Sequence, residues 1–120
     1  MEHVGYDTGH IHGSVHTQAY NHVIKTQKSG GLYANVADWH NYEIIWKSSG
    51  IEFIFDGDKY FEFGNDGSDD YTTWPFNKRF HFILNVAVGG TWGGAQGVSH
   101  ADFVGNGQIM EVDWVRVYSS

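Results

Sequence analysis

Apolar and polar residues alternate with a period of two along several short segments, which is the pattern of half-buried β-strands. In the clearest segment every second side chain is apolar, and these are Tyr42, Ile44 and Trp46. Turn signals follow at residues 48–50 and again at Asp56-Gly57, and they connect this segment to strands over residues 51–56 and 60–63. The pattern therefore predicts two successive β-hairpins in the middle of the chain.

Three further segments are predicted to be strands, namely residues 11–17, 80–88 and 109–118. Residues 80–88 are the best candidate for a buried strand, because apolar side chains fill one face and Asn85 is the polar outlier of the other. Residues 18–36 contain Ser-Gly-Gly and show no clean period, so a long surface loop is predicted there. No segment predicts a helix of three turns, and short strands between turns favour an all-β antiparallel sandwich or jelly roll.

Composition excludes several classes of function. The chain has 120 residues, with 7 Lys+Arg against 14 Asp+Glu and a net charge of −7, so no nucleic-acid partner is expected. The absence of cysteine excludes a disulfide framework, a thiolate zinc site and a cysteine nucleophile. No apolar run approaches the roughly 20 residues of a membrane span, and no secretory signal is recognisable at the N-terminus. One domain without a membrane partner is the expectation for this length.

Three histidines are predicted to share one face of the strand over residues 11–17: His10, His12 and His16, together with Ser14. A His-x-His pair with a third histidine can hold zinc and keep one coordination position open. Alternatively, histidines on a polar strand face bond to a ligand or to solvent. The second interpretation is favoured, because histidines on such a face more often bond to a ligand or to solvent.

The chain is rich in aromatic residues, which make up 17% of it and include five tryptophans, at positions 39, 46, 74, 92 and 114. Indole rings stack on the apolar faces of sugars, but core packing is the expectation for most of these tryptophans. Trp92 differs because glycines flank it on both sides in residues 89–94. Such a loop offers the ring little core to fill and predicts a position at the rim of a cleft.

An acidic loop over residues 64–70 carries Asp66, Asp69 and Asp70. Clustered carboxylates can bind calcium, but this spacing fits no EF-hand. A solvated acidic loop is therefore the default interpretation.

Five short motifs follow one another along the chain. They are Met1-Glu2-x-x-Gly5, Ile11-His12-Gly13-x-Val15-His16-Thr17, Trp74-Pro75-Phe76, FILNVAVGGTW at residues 82–92 and VDWVRVY at residues 112–118. In this order they resemble glycoside hydrolase family 16, and within it the laminarinases, which are endo-β-1,3-glucanases. The resemblance implies that residues 1–120 are the C-terminal part of a single catalytic domain. It also implies a concanavalin-like β-jelly roll of two curved antiparallel sheets, expected to be incomplete in this chain.

The catalytic signature of that family is E-x-D-x-x-E, and its end coincides with Met1-Glu2. The resemblance therefore implies that Glu2 is the general acid/base of a retaining double displacement. The nucleophile and the Asp that supports it would precede Met1, so the isolated chain is expected to be inactive. Activity would then need the N-terminal half of the domain, or the chain would self-associate.

The same resemblance assigns substrate contacts and a metal position. It implies that His12, His16, Asn85 and Trp92 bind a β-glucan, that Asp113 contributes to a structural calcium site, and that no other cofactor is required. An extracellular or periplasmic location follows by resemblance. The alternative function is a non-catalytic β-glucan-binding module on the same jelly roll.

Overall fold

Six β-strands in two three-stranded antiparallel sheets make up the regular structure of the computed structural model, which describes residues 1–119. The first sheet has the order β1 (Glu2–His3), β2 (His10–Val15) and β3 (Lys28–Tyr33). The second has the order β4 (Tyr42–Lys47), β5 (Gly50–Phe55) and β6 (Asp58–Gly64). The only helix within residues 1–119 is a 3₁₀ turn at His100–Phe103. The predicted all-β class is confirmed.

The chain divides into two compact units, Met1–Phe82 and Ile83–Ser120. All six strands belong to the first unit, whereas the described part of the second contains the 3₁₀ helix, turns and irregular chain. No helix found in the described residues is long and apolar enough to cross a membrane.

Both predicted hairpins of the second sheet are present. Residues 48–49 connect β4 to β5, and Asp56-Gly57 connects β5 to β6. Asp56 and Gly57 have φ angles of 50° and 95°, which is the left-handed geometry that a tight turn between twisted antiparallel strands requires. The Asp-Gly pair therefore sets the register of this hairpin.

The core lies among residues of both sheets and of the chain that follows β6. Five of its buried residues form one cluster, which consists of Val15, Ile51, Phe53, Phe63 and Trp74. In β2, Ile11 is fully buried, while the residues on either side of it are only half buried. This alternation matches the period of two that the sequence shows, so β2 has one core face and one polar face.

Two glycines of the first sheet allow close approach of the second. Gly13 and Gly30 are register partners on β2 and β3. A Cβ atom on Gly13 would lie 2.8 Å from the hydroxyl oxygen of Tyr60, and one on Gly30 would lie 2.8 Å from Cβ of Phe61. The absence of side chains at these two positions makes room for two consecutive aromatic residues of β6.

A register shift in the second sheet supplies that aromatic pair. Phe53 pairs with Phe61, but the next residue, Ile54, pairs with Lys59, so Tyr60 is an extra residue on β6. Such a bulge lets neighbouring side chains depart from strict alternation. Tyr60 and Phe61 therefore both contact Phe53, with ring centroids 6.2 Å and 5.1 Å away.

One loop prediction and two strand predictions need correction. Residues 18–36 do not form one loop, because β3 occupies Lys28–Tyr33. The Gly-Gly pair of β3 hides the period of two in the sequence. Pairing with β2 and packing of Phe61 over Gly30 stabilise the strand. Residues 80–88 and 109–118 are not strands, and their apolar side chains are exposed. An alternating segment becomes a strand only where a second strand accepts its backbone hydrogen bonds, and no such pairing occurs for either segment within residues 1–119.

The tryptophans also depart from expectation. Trp74 is in the core and is 5% exposed, whereas Trp39, Trp46 and Trp114 are exposed instead of packed. Each of the last two has a local partner: the indole N–H of Trp46 donates to the carbonyl of Phe76, and the Arg116 guanidinium lies 4.4 Å from the Trp114 ring centroid. Core packing is therefore wrong for three of the four tryptophans for which it was expected.

Candidate functional site

The polar face of the first sheet brings Glu2 beside the histidines of β2. Glu2 is the register partner of His12, and directly opposite residues of an antiparallel pair project to the same face. Because Ile11 and Val15 face the core, His10, His12 and Ser14 project from the other face, as the alternation predicts. Glu2 itself is exposed. A carboxyl group and two imidazoles therefore share one accessible surface.

A tight turn between β1 and β2 adds Asp7 to this surface. The amide of Asp7 donates to the carbonyl of Val4, and the amide of His10 donates to the carbonyl of Asp7. These bonds place Oδ2 of Asp7 2.7 Å from Nδ1 of His10. Because an ionised carboxylate only accepts hydrogen bonds, Nδ1 of His10 is the donor.

Tyr33 also holds the His10 ring in place. It is the register partner of His10 on β3, and the two rings stack with centroids 4.4 Å apart and an interplanar angle of 19°. Its hydroxyl group reaches Oδ1 of Asp7 at 3.4 Å. A carboxylate and an aromatic face therefore hold the imidazole of His10 in one orientation.

His12 has a less polar environment than its neighbour. It is half buried, and its ring centroid lies 3.9 Å from that of His10. Burial lowers the pKa of His12, and the nearby His10 lowers it further, while Asp7 and Glu2 oppose the shift. Near neutral pH the His12 imidazole is therefore uncharged, the form that accepts a proton or binds a metal ion.

The predicted histidine trio does not assemble. His16 follows the end of β2, is exposed, and lies edge-on to His22 at 5.5 Å between ring centroids. Instead, Asp7, His10 and His12 each offer a ligand atom, and these atoms lie within 4.8 Å of one another. The sequence-based prediction did not include Asp7. Its position three residues before His10, with a glycine between them, is a turn signal that could have identified it. Gly9 has a φ of 86° in that turn.

Three predicted site residues lie in the second unit, where Asn85, Trp92 and Asp113 are exposed. The substrate-binding roles of Asn85 and Trp92 stay predictions, as does the assignment of the whole chain to one catalytic domain. Asp113 belongs to no group of three or more metal-ligating side chains within residues 1–119. The contribution of Asp113 to a calcium site stays a prediction.

The carboxylates of the acidic loop accept hydrogen bonds from nearby residues of the same chain segment. Oδ1 of Asp66 accepts hydrogen bonds from the amide and hydroxyl of Ser68, and Oδ1 of Asp70 accepts them from the amide and hydroxyl of Thr72. The bonds from Ser68 lower the pKa of Asp66. This arrangement favours the solvated-loop interpretation over a calcium site.

A second imidazole–carboxylate pair lies at the hairpin end of the second sheet. Nδ1 of His40 is 2.7 Å from Oδ2 of Asp56, and its Nε2 is 2.9 Å from the carbonyl oxygen of Asn35. The carbonyl of Asn35 and then Asp56 raise the pKa of His40, because both favour the doubly protonated ring. The backbone amide of Asn41 and then His40 lower the pKa of Asp56. This pair connects the two ends of the β4–β5 hairpin.

Two antiparallel sheets with a carboxyl group beside imidazoles on an exposed face are consistent with a carbohydrate-acting jelly-roll protein. The sequence profile of the Glycosyl hydrolases family 16 matches residues 1–116. A β-glucanase of Rhodothermus marinus is 44% identical over 124 residues, which cover 98% of this chain and 42% of that relative. The chain belongs to glycosyl hydrolase family 16, and it spans less than half the length of this relative.

Solved structures confirm the jelly-roll fold. The laminarinase from Rhodothermus marinus matches with a TM-score of 0.80 and 43% identity over 84% of this chain and 43% of that chain. A mutant of SCLam, a non-specific endo-β-1,3(4)-glucanase of family 16, matches with a TM-score of 0.80 and 43% identity over 84% of this chain and 40% of its own. That mutant was co-crystallised with 1,3-β-D-cellotriosyl-glucose and presents 1,3-β-D-cellobiosyl-glucose at its active site.

Proposed function

We propose that this chain supplies the acid/base side of a retaining site that hydrolyses β-1,3-glucans, with Glu2 as the proton donor. The observation that carries the proposal is the register pair Glu2–His12, which puts an exposed carboxyl group beside a half-buried imidazole on the polar face of the first sheet. The matched family, the named β-glucanase and the glucan-bound relative support this substrate class.

Glu2 would act twice in one cycle. In its carboxylic-acid form it donates a proton to the glycosidic oxygen, so that the leaving sugar departs as an alcohol. As the carboxylate it then removes a proton from the water molecule that attacks the glycosyl–enzyme ester. His12, the register partner of Glu2, lies beside it on the same face of the sheet.

A retaining mechanism needs a second carboxylate about 5–5.5 Å from the first. We propose that a complementing family 16 polypeptide supplies this nucleophile by pairing with β1. The strand order supports this proposal, because β1 is an edge strand whose outer backbone groups have no partner among the described strands. Asp7, the neighbouring carboxylate, already accepts the hydrogen bond of His10. Association of two copies of this chain is the alternative.

The remaining substrate contacts are proposed from the family resemblance. In the first unit, His12 and His16 would contact the glucan. In the second unit, Asn85 and Trp92 are proposed as sugar-binding residues. Trp92 is 42% exposed, which leaves indole surface for stacking on a glucose ring. Because a polymeric glucan does not enter a cell, we propose an extracellular or periplasmic site of action.

Complementation tests the proposal directly. The part of the Rhodothermus marinus β-glucanase that aligns before Met1 is expressed separately and mixed with this chain, and reducing-sugar release from laminarin is measured. The mixture should hydrolyse laminarin, and the same mixture with Glu2→Gln should assemble but release almost nothing. Glu43→Gln, an exposed carboxylate in β4 of the other sheet, is the matched control and should retain activity.

The outcomes separate the candidate functions. Equal activity with native Glu2 and with Glu2→Gln would show that Glu2 is not the acid/base. Assembly that retains laminarin on a column without hydrolysis in any variant would favour the glucan-binding module.

A further inference from the structure

We propose that Asp7, His10 and His12 form a binding site for one divalent transition-metal ion of the zinc type. The three side chains offer one ligand atom each, and these atoms lie within 4.8 Å of one another, the only such group of three or more within residues 1–119. This site lies within the first unit and does not depend on hydrolysis. It is separate from the calcium position considered at Asp113.

The number and type of the donors select the metal. Two imidazoles and one carboxylate suit zinc and its first-row neighbours, whereas calcium and magnesium prefer oxygen ligands throughout. Three protein ligands leave a fourth position for water or another small ligand. Zinc–ligand bonds of about 2.0–2.2 Å require side-chain rotation on a fixed backbone. The metal ion then replaces the hydrogen bond between His10 and Asp7, and the displaced proton goes to solvent.

The backbone already holds these donors together. His10 and His12 are separated by one residue on β2, so they project from the same face, and their ring centroids are 3.9 Å apart. Asp7 is fixed by the turn bonds to Val4 and His10. The site therefore requires no ordering of a loop, which keeps the entropic cost of binding low.

The environment also favours coordination over solvation. Side-chain exposure is 24% for His10 and 37% for Asp7, so each is shielded on one side and accessible on the other. Stacking with Tyr33 supports one face of the His10 ring. The competing interpretation is that Asp7 and His10 merely stabilise the turn.

Calorimetric titration of the full chain with Zn²⁺ tests the site. We expect one equivalent to bind, and we expect Asp7→Asn, His10→Asn and His12→Asn each to weaken binding by at least about tenfold. His16→Asn and His22→Asn are the matched controls, because these two exposed histidines contact each other with ring centroids 5.5 Å apart and form a second imidazole pair outside the proposed site. Their affinity for zinc should equal that of the unmodified chain.

A second measurement covers variants that fold poorly. Co²⁺ is used in place of Zn²⁺, because the visible absorption of bound cobalt reports imidazole coordination. The spectrum is recorded for the unmodified chain and for His10→Asn. Far-UV circular dichroism of His10→Asn without metal shows whether this variant folds. A cobalt spectrum that disappears in folded His10→Asn supports the site. The proposal is overturned if no metal binds, or if His16→Asn abolishes binding while His10→Asn and His12→Asn leave it unchanged.

Discussion

The two compact units of the chain contain similar sequence patterns with opposite structural outcomes. In the first unit, alternating segments such as residues 50–55 pair on both sides and bury their apolar side chains. In the second unit, residues 109–118 alternate in part as well, yet they remain unpaired and Ile109 is 70% exposed. The contrast shows that alternation specifies which face of a strand is apolar, whereas strand formation depends on a partner for the backbone.

Hydrogen exchange should show the largest difference between the units. Backbone amides of β2 and β5 should exchange at least about 10³-fold more slowly than those of an unstructured chain, whereas amides of residues 83–88 and 109–118 should exchange at nearly the unstructured rate. Mass spectrometry of peptic fragments measures both. Adding the complementing family 16 polypeptide should slow exchange in the second unit. If these segments are strongly protected in the chain alone, the contrast between the units is wrong.

Truncation of matched isoleucines gives the next largest effect. Ile51→Ala removes a side chain that is 6% exposed in the core and should lower the free energy of unfolding by about 2–5 kcal/mol. Ile109→Ala, at 70% exposure, should change it by no more than about 0.5 kcal/mol. Urea denaturation followed by tryptophan fluorescence compares them. A similar loss for both variants would mean that Ile109 is packed.

Close packing between the sheets of the first unit gives a smaller effect. Gly30→Ala places a methyl group 2.8 Å from Cβ of Phe61 and should cost about 1–3 kcal/mol of stability. Gly64→Ala is the control, because no heavy atom lies within 4 Å of its added Cβ, and it should be nearly neutral. Equal stability of the two variants in urea would contradict the close approach of β3 and β6.

The His40–Asp56 pair should produce the smallest effect, a pH dependence of the stability of the first unit. The folded-state pKa of His40 is raised, so its contribution to stability is complete below the reference pKa of 6.5 and is lost as the pH rises through the raised value. The lowered pKa of Asp56 has the opposite consequence, and that contribution is lost in acid below its reference value of 3.8.

Thermal unfolding between pH 5 and pH 9 checks the histidine part, since the carboxylate stays ionised over about that range. The melting temperature should fall as the pH increases, and His40→Asn should flatten this decline. His81→Asn, another exposed histidine of the first unit, should leave the profile unchanged. Identical profiles for the unmodified chain and His40→Asn would show that the pair does not contribute to stability.

Local sequence signals were sufficient for much of the first unit. The turn signals at residues 48–50 and at Asp56-Gly57, with the alternation of residues 42–46, specified the two hairpins. The alternation in β2 specified the polar histidine face. They did not reveal β3, because a Lys-Ser-Gly-Gly sequence forms a strand only through its pairing and through the ring of Phe61 over Gly30. They overpredicted residues 80–88, because a sequence pattern contains no information about whether a partner strand is available.

The candidate site was predictable in part for the same reason. The period of two placed His10 and His12 together, and the family resemblance singled out Glu2, whose register partner is His12. The same period of two predicted His16 on this face, but β2 ends at Val15. Asp7 joined the group through turn hydrogen bonds, which depend on backbone geometry and not on periodicity.

The fit of Tyr60 and Phe61 over Gly13 and Gly30 also constrains how this sequence can evolve. Each glycine has its own aromatic partner across the sheets, so a larger residue at position 13 or 30 becomes tolerable only after its partner shrinks. Among descendants of this sequence, substitutions at these positions should therefore appear as compensating pairs. Gly13 lies between His12 and Ser14 on β2 but faces the core. Compensating substitutions at position 13 would therefore accompany changes in the strand that carries the polar surface.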